Sequence, residues 1–166
     1  VGGMVEVDPK PGNVVGPVAQ GANTRFGQYD GPLGRGAADY PPDRVVRVPA
    51  SLLESADGTT ITNSRGEVIT NISQVDYSYA DYLADYAAGR YQYSAEEGRP
   101  RRRVVTIPIV DCTNPVSGSS GTLPVKGFGC FFLLQPVRHS GTDSWIFGEF
   151  LEECEASGSP GQQGGI

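Results

Sequence analysis

Residues 104–111 read VVTIPIVD, residues 123–134 read LPVKGFGCFFLL and residues 145–153 read WIFGEFLEE, and these three apolar stretches decide the fold. Each stretch is rich in β-branched and aromatic residues and is bounded by Gly, Pro, Ser or Asp, which is the pattern of a β-strand. Polar loops join the stretches in sequence, so they predict neighbouring strands of an antiparallel meander. The segment 101–154 is therefore the predicted core, against which the other elements have to pack.

One amphipathic helix is predicted over residues 77–88. The residues of its predicted inner face recur at i, i+3, i+4 and i+7: Tyr79, Tyr82, Leu83 and Tyr86. Asp76 or Ser78 can cap the start of the helix, and Gly89 stands where a C′ residue belongs. A tyrosine stripe at helical spacing usually packs on a sheet, so we expect the helix to lie across one sheet face with Leu83 buried. The predicted fold class is α+β, with a mainly antiparallel sheet of five or more strands.

The chain of 166 residues has the length of one domain. Its 23 glycines and 13 prolines predict long Gly/Pro-rich loops between the elements. Shorter strands are predicted at residues 4–7, 45–48 and 68–72. We expect one β-rich domain over residues 1–155, followed at 156–166 by a flexible C-terminal tail that has little to bury.

The charge balance excludes some classes of partner. A net charge of -6 gains nothing from the attraction of a phosphate backbone, so the sequence argues against nucleic-acid binding. No stretch approaches the roughly 18 apolar residues that a membrane-spanning helix requires. We therefore expect membrane attachment only through an N-terminal anchor that is absent from this chain.

No constellation of catalytic or metal-binding residues stands out. The single histidine, His139, lies in a polar segment with the composition of an exposed hairpin tip, where an imidazole is a poor base. Cys130 lies in an apolar stretch that disfavours a thiolate nucleophile. The cysteines also lack the Cys-x-x-Cys spacing or histidine partners of a zinc site. The sequence thus predicts a protein that is not an enzyme and that has no metal and no cofactor.

The three cysteines allow one disulfide and one unpaired thiol in an oxidising compartment. Cys112 and Cys154 each end a predicted strand, where the backbone can adjust to the geometry of a bridge, so we expect them to pair. Cys130 lies in the middle of a strand and is expected to remain an unpaired, buried thiol. The alternative is a Cys130–Cys154 bridge, which requires the last two strands to be neighbours.

Two parts of the sequence resemble a known family. Residues 11–21 read PGNVVGPVAQG and resemble the Pro-Gly-Asn-(apolar)2-Gly-Pro-Thr-x-x-Gly signature of TadE/TadG-like proteins of the bacterial tight-adherence (Flp-type) pilus system, with Val18 in place of the usual Thr. Residues 102–111 and 125–128 are similar to later strands of that group. The resemblance implies an N-terminally anchored protein whose extracytoplasmic domain is displayed on or beside a pilus. It implies no catalytic residues.

The PGNVVGP segment has two interpretations. It is either an ordered structural corner, in which Gly12 and Gly16 have positive φ or allow close backbone approach, or a docking surface for a pilus partner. The docking residues would then be Asn13, Gly16, Pro17 and Gln20.

The predicted function is a non-enzymatic pilus-associated or pilus-assembly domain that contacts other pilus or envelope proteins in surface adhesion. The alternative is an extracellular carbohydrate- or adhesin-type binding domain that uses a cluster of tyrosines between residues 77 and 93. Both functions place the domain outside the cytoplasm, on the cell surface, on a pilus or in the periplasm.

Overall fold

The structure is a computed structural model that describes residues 6–7, 15–34, 39–111, 113, 123–140 and 143–153. The described α-helices are α1 (Val15–Thr24) and α2 (Tyr79–Ala87), and 3-10 turns lie at Gly31–Leu33 and Ile72–Gln74. The described strands are β1 (Glu6–Val7), β2 (Leu53–Glu54), β3 (Thr62–Asn63), β4 (Val104–Val110), β5 (Leu123–Leu133), β6 (Arg138–Ser140), β7 (Asp143–Trp145) and β8 (Gly148–Glu153). All paired strands are antiparallel, so the fold is α+β.

The main sheet is centred on β5. Strand β4 pairs with β5 along its length, from Val104 opposite Phe132 to Val110 opposite Val125. The other edge of β5 pairs with β1 at one end and with β8 at the other. The three long predicted strands are therefore confirmed as neighbours. Among the described residues the main sheet has four strands rather than five, because β2–β3 and β6–β7 form separate two-stranded ribbons.

The shorter predicted strands have different outcomes. Residues 6–7 form an edge strand, as predicted for residues 4–7. Residues 45–48 form no strand, and the Val46 N–H donates to the side-chain oxygen of Gln92 at 2.9 Å instead of to a neighbouring strand. Residues 68–72 contribute one isolated bridge and then enter a 3-10 turn. The apolar composition of these two segments predicted strand hydrogen bonds. A side-chain acceptor takes their place at Val46, and a 3-10 turn takes their place at Ile72–Gln74.

The predicted helix is confirmed as α2, shorter than expected by two residues at its start and one at its end. Ser78 is the N-cap, and the Asp81 carboxylate accepts the Ser78 backbone N–H at 2.8 Å, which satisfies a donor at the helix start. Gly89 follows the C-cap with φ 67°, the left-handed conformation that commonly ends a helix. Local capping chemistry therefore sets both ends of α2.

The core lies between α2 and the main sheet. Tyr82 is 1% exposed, and its ring centroid lies 4.8 Å from that of Phe132 on β5. Leu83 was predicted to be buried, and this is wrong, since the side chain is 48% exposed. Asp85, 2% exposed, belongs to the inner face of α2 and shifts the centre of that face away from Leu83.

Within the described residues, no helix has the length and apolarity to cross a membrane. Residues 156–166, predicted to be a flexible tail, lie outside the described residues.

Candidate functional site

A buried carboxylate connects α2 to the start of β4. Asp43 is 0% exposed and accepts four hydrogen bonds on its two oxygens. Oδ1 accepts the Val45 N–H at 3.0 Å and the Tyr86 hydroxyl at 2.9 Å. Oδ2 accepts the Tyr82 hydroxyl at 2.9 Å and the backbone N–H of Arg103 at 3.1 Å. The carboxylate is thus satisfied from inside the protein and offers no open position to a ligand.

The tyrosines that contact Asp43 are held protonated. Burial and the charge of Asp43 raise the pKa of Tyr86 to about 12, and the same two causes raise the pKa of Tyr82 further. A phenol with a raised pKa stays neutral near pH 7, where it donates a hydrogen bond and is a poor general base. These hydroxyls therefore act as structural donors.

A second buried charge, Arg103, lies beside the first. It is 0% exposed, and its guanidinium makes five hydrogen bonds to backbone carbonyls. The acceptors are the carbonyls of Val45, Arg47, Leu133 and Leu134. Its Cζ also lies 4.4 Å from the ring centroid of Phe132. Because an arginine has five N–H donors, the guanidinium is saturated by the fold and cannot also bind an anion.

A third buried charge, Asp85, ties α2 to the loop that follows it. Its carboxylate accepts the Tyr77 hydroxyl at 2.9 Å and Arg90 Nε at 2.6 Å, and it forms a salt bridge with Arg47 at 3.4 Å. Burial on its own raises the pKa of Asp85. Hydrogen bonds from Arg90 and Tyr77 and the charge of Arg47 outweigh burial, so the net pKa is lowered.

The tyrosine cluster belongs to this interior. Tyr77 and Tyr82 are buried, Tyr79 and Tyr86 are half-buried, and all four contribute to the hydrophobic core. Tyr91 is 38% exposed, and the Arg44 guanidinium lies 3.7 Å from its ring centroid. The prediction that the stripe packs inward is confirmed for the tyrosines. Their rings do not form an open stacking platform.

An apolar groove lies between residues 69–75 and residues 146–150, with a volume of about 380 Å³. Its floor is formed by Leu53, Ile61, Ile69, Val75, Leu134 and Phe147, all of which belong to the core or pack against it. Ile72, Ile146 and Phe150 line it while remaining 38%, 48% and 54% exposed. Glu149 is the one charged lining residue, and its carboxylate accepts the Tyr79 N–H at 2.7 Å.

The face of the main sheet that points away from α2 is also apolar. Ile107 and Ile109 on β4 lie on this face and are 44% and 41% exposed. Ile107 pairs with Gly129, where an added Cβ would lie 2.9 Å from the Phe131 ring. The glycine therefore leaves room for that ring, which lies 5.2 Å from the Phe150 ring between centroids.

Phe150 belongs both to the groove and to the sheet face, so it connects them. We call the exposed members of this region the apolar surface: Ile72, Ile107, Ile109, Ile146 and Phe150. Contiguous exposed apolar side chains are a mark of an interaction site. The apolar surface is the candidate functional site.

The predicted docking residues lie elsewhere or outside the described residues. Asn13 and Gly12 are not described. Gly16, Pro17 and Gln20 all lie in α1, where Pro17 is exposed and the other two are half-buried. The predicted structural corner is wrong for Gly16, which has no positive φ and no atom within 4 Å of an added Cβ. From Val15 onward this segment is part of α1. Residues in an α-helix have negative φ, so the conformation at Gly16 does not require glycine.

The structure has Cys130 in a disulfide, so the prediction that it is unpaired is wrong. Cys112 and Cys154 lie outside the described residues. Because the chain has three cysteines, a bridge from Cys130 to either one excludes the predicted Cys112–Cys154 pair. The physical reason is that β5 is paired on both edges, which brings Cys130 near residues that are remote in sequence.

The remaining chemical candidates are few. His139 lies in β6, within the predicted hairpin, opposite Ser144 on β7. Among the described residues no group of three His, Cys, Asp or Glu side chains could hold a metal ion.

The sequence did not predict the three buried charges or the groove. Asp43, Asp85 and Arg103 look like ordinary surface residues, and only the position of Arg103 directly before an apolar strand hinted at its burial. A groove whose walls come from separate segments has no local sequence signal.

Comparison with known protein families, with curated proteins and with solved structures finds no match.

Proposed function

We propose that the chain is a non-enzymatic module that binds other proteins outside the cytoplasm, as a pilus-associated or pilus-assembly domain of the TadE/TadG-like type. The apolar surface is the observation that carries the proposal. Its five members stay between 38% and 54% exposed although the same chain buries other aromatic and aliphatic residues completely. Leaving apolar area in water is unfavourable, and contact with a partner removes that cost.

The internal use of charge supports a binding role over a catalytic one. Among the described residues, Asp43, Asp85 and Arg103 are the charged side chains that are at most 2% exposed, and each is bound by groups of the same chain. A catalytic acid or base must be able to contact a substrate, and these three groups are enclosed by their own partners.

The disulfide at Cys130 supports the extracytoplasmic location, since structural disulfides persist mainly in oxidising compartments. The pilus assignment rests on the resemblance of residues 11–21 and 102–111 to the family. No observation favours carbohydrate binding by the tyrosine cluster, because Tyr77, Tyr82 and Tyr86 direct their hydroxyls to buried carboxylates.

The test is complementation of a strain from which the gene for this chain has been deleted, with assembled pili and surface attachment as readouts. We expect Ile109→Ser combined with Phe150→Ser to abolish assembly while the purified domain stays folded, with a melting temperature lowered by only a few degrees through loss of the Phe131–Phe150 ring contact. Leu83→Ser is the matched control, since Leu83 is 48% exposed on α2 and outside the apolar surface. Normal pili and attachment in the deletion strain itself would refute the proposal.

A further inference from the structure

The groove runs beside the outer edge of β8. Within the described part of the chain, β8 pairs with β5 alone. The Leu134 N–H donates to the Phe147 carbonyl at 3.0 Å, and bonded pairs in an antiparallel ladder alternate. The next bonded pair is thus Phe132 with Glu149, and the backbone groups of Gly148 and Phe150 point away from β5. This edge offers N–H and C=O groups to an added strand.

The side chains beside this edge suit the alternate residues of an extended peptide. Ile146 and Phe150 stand on one side of the groove and Ile72 stands on the other, each partly exposed. The volume of about 380 Å³ lies at the lower end of the range for ligand pockets, which is enough for a few aliphatic side chains. Backbone pairing plus pockets for alternate side chains is the chemistry of strand addition.

The charge beside the groove selects the partner. Among the described residues, Glu149 is the one charged residue that lines the groove, and no Lys, Arg or His lines it. An occupant with basic residues beside its apolar positions therefore complements this edge, whereas a second copy of β8 would place like charges together.

We propose that β8 and the groove bind an extended segment of a partner protein, apolar at alternate positions and flanked by lysine or arginine, which adds as a strand to the outer edge of β8. The inference rests on the proposed function and specifies how that function recognises its partner. Strand addition explains why the groove lies beside the outer edge of a strand. It also gives Glu149 a second role, beside its bond to the first turn of α2.

The experiment titrates the purified domain with the synthetic peptide acetyl-Lys-Val-Thr-Val-Thr-Val-Lys-amide by calorimetry and follows backbone hydrogen exchange. We expect a dissociation constant below about 1 mM and slower exchange in residues 148–150. A peptide with proline in place of the central valine lacks one N–H, and a peptide with Glu in place of both Lys reverses the charge. Each should bind at least about tenfold more weakly.

Two protein variants locate the site. Ile146→Ser should weaken binding of the lysine peptide about tenfold, whereas Ile109→Ser, on the sheet face and similarly exposed, should leave it unchanged. Equal effects of the two variants, or protection outside β8, would overturn strand addition at this edge. So would self-association of the free domain that Ile146→Ser abolishes, since the occupant would then be a second copy.

The outcome is separable from the test of the proposed function. If the lysine peptide does not bind and the Ile109/Phe150 double variant still loses pili, strand addition is wrong and the pilus role stands. If the deletion strain assembles pili normally, the pilus role is wrong whatever the peptide does.

Discussion

Replacing Asp43 by asparagine should strongly destabilise the fold. The substitution preserves shape, so it tests hydrogen bonding and charge rather than packing. One asparagine oxygen can still accept the two bonds on one side of the group, from Val45 and Tyr86 or from Tyr82 and Arg103. The amide nitrogen then faces the other two donors, which lose their acceptor.

The magnitude follows from those two lost bonds. A hydrogen bond to a charged group contributes about 1.5–3 kcal/mol, so the loss is about 3–6 kcal/mol. Domains of ordinary stability have about 5–15 kcal/mol in total. For a chain of this size each 1 kcal/mol lowers the melting temperature by roughly 2–4 °C, so we expect the melting temperature to fall by about 6–24 °C.

The assay is urea and thermal unfolding followed by circular dichroism, with Asp57→Asn as the matched control. Asp57 also accepts several hydrogen bonds, from Thr59, Thr60 and Ser55, but it is fully exposed. Water replaces lost bonds at an exposed site, so the control should melt close to wild type.

A double-mutant cycle tests the reasoning further. Tyr82→Phe removes one donor to Asp43, so it should cost less in the Asp43→Asn background than in the wild type. If Asp43→Asn melts within about 2 °C of wild type, the buried carboxylate does not hold α2 to β4.

Three further predictions follow from single features. We expect non-reducing peptide mapping to find Cys130 linked to Cys154, because Glu153, the last residue of β8, pairs with Gly129, which precedes Cys130. A link from Cys130 to any other cysteine contradicts this. Since the pKa of Asp85 is lowered on folding, its stabilisation is present above its usual value of 3.8 and is lost as pH falls below it. Urea midpoints between pH 7 and pH 2 should therefore fall less in Asp85→Asn than in wild type, and parallel curves would count against the ion pairs. Arg101 has φ 60°, so Arg101→Gly should raise the free energy of unfolding by about 1 kcal/mol in urea, and an unchanged or lower value contradicts backbone strain at this residue.

The prediction that Cys130 is unpaired was wrong because the pairing of cysteines depends on the order of the strands, which the sequence does not show. Strand ends are good places for a bridge, and on that local argument Cys112 and Cys154 pair while Cys130 stays free. Which cysteines meet depends on strand order and register, and β5 has β4 on one edge and β8 on the other. Pairing is a property of the sheet rather than of any one strand.

The sequence by itself determined the elements whose signals are local. Periodicity and caps located α2, and β-branched and aromatic runs located β4, β5 and β8 within a few residues. The inward packing of Tyr82 also followed from helical spacing. Such signals are carried by neighbours along the chain, so no knowledge of the fold is needed to see them.

The tertiary structure alone decided the burial of charge and the position of the candidate site. Asp43 and Arg103 are buried because groups far away in sequence supply hydrogen bonds to them, and Asp85 forms a salt bridge with Arg47, which is also remote in sequence. Composition cannot reveal such contacts. Leu83 is exposed because Asp85 takes a place on the inner face of α2. The groove exists because residues 69–75 approach β8 without covering it. Each depends on contacts between distant segments, and those contacts arise only when the chain has folded.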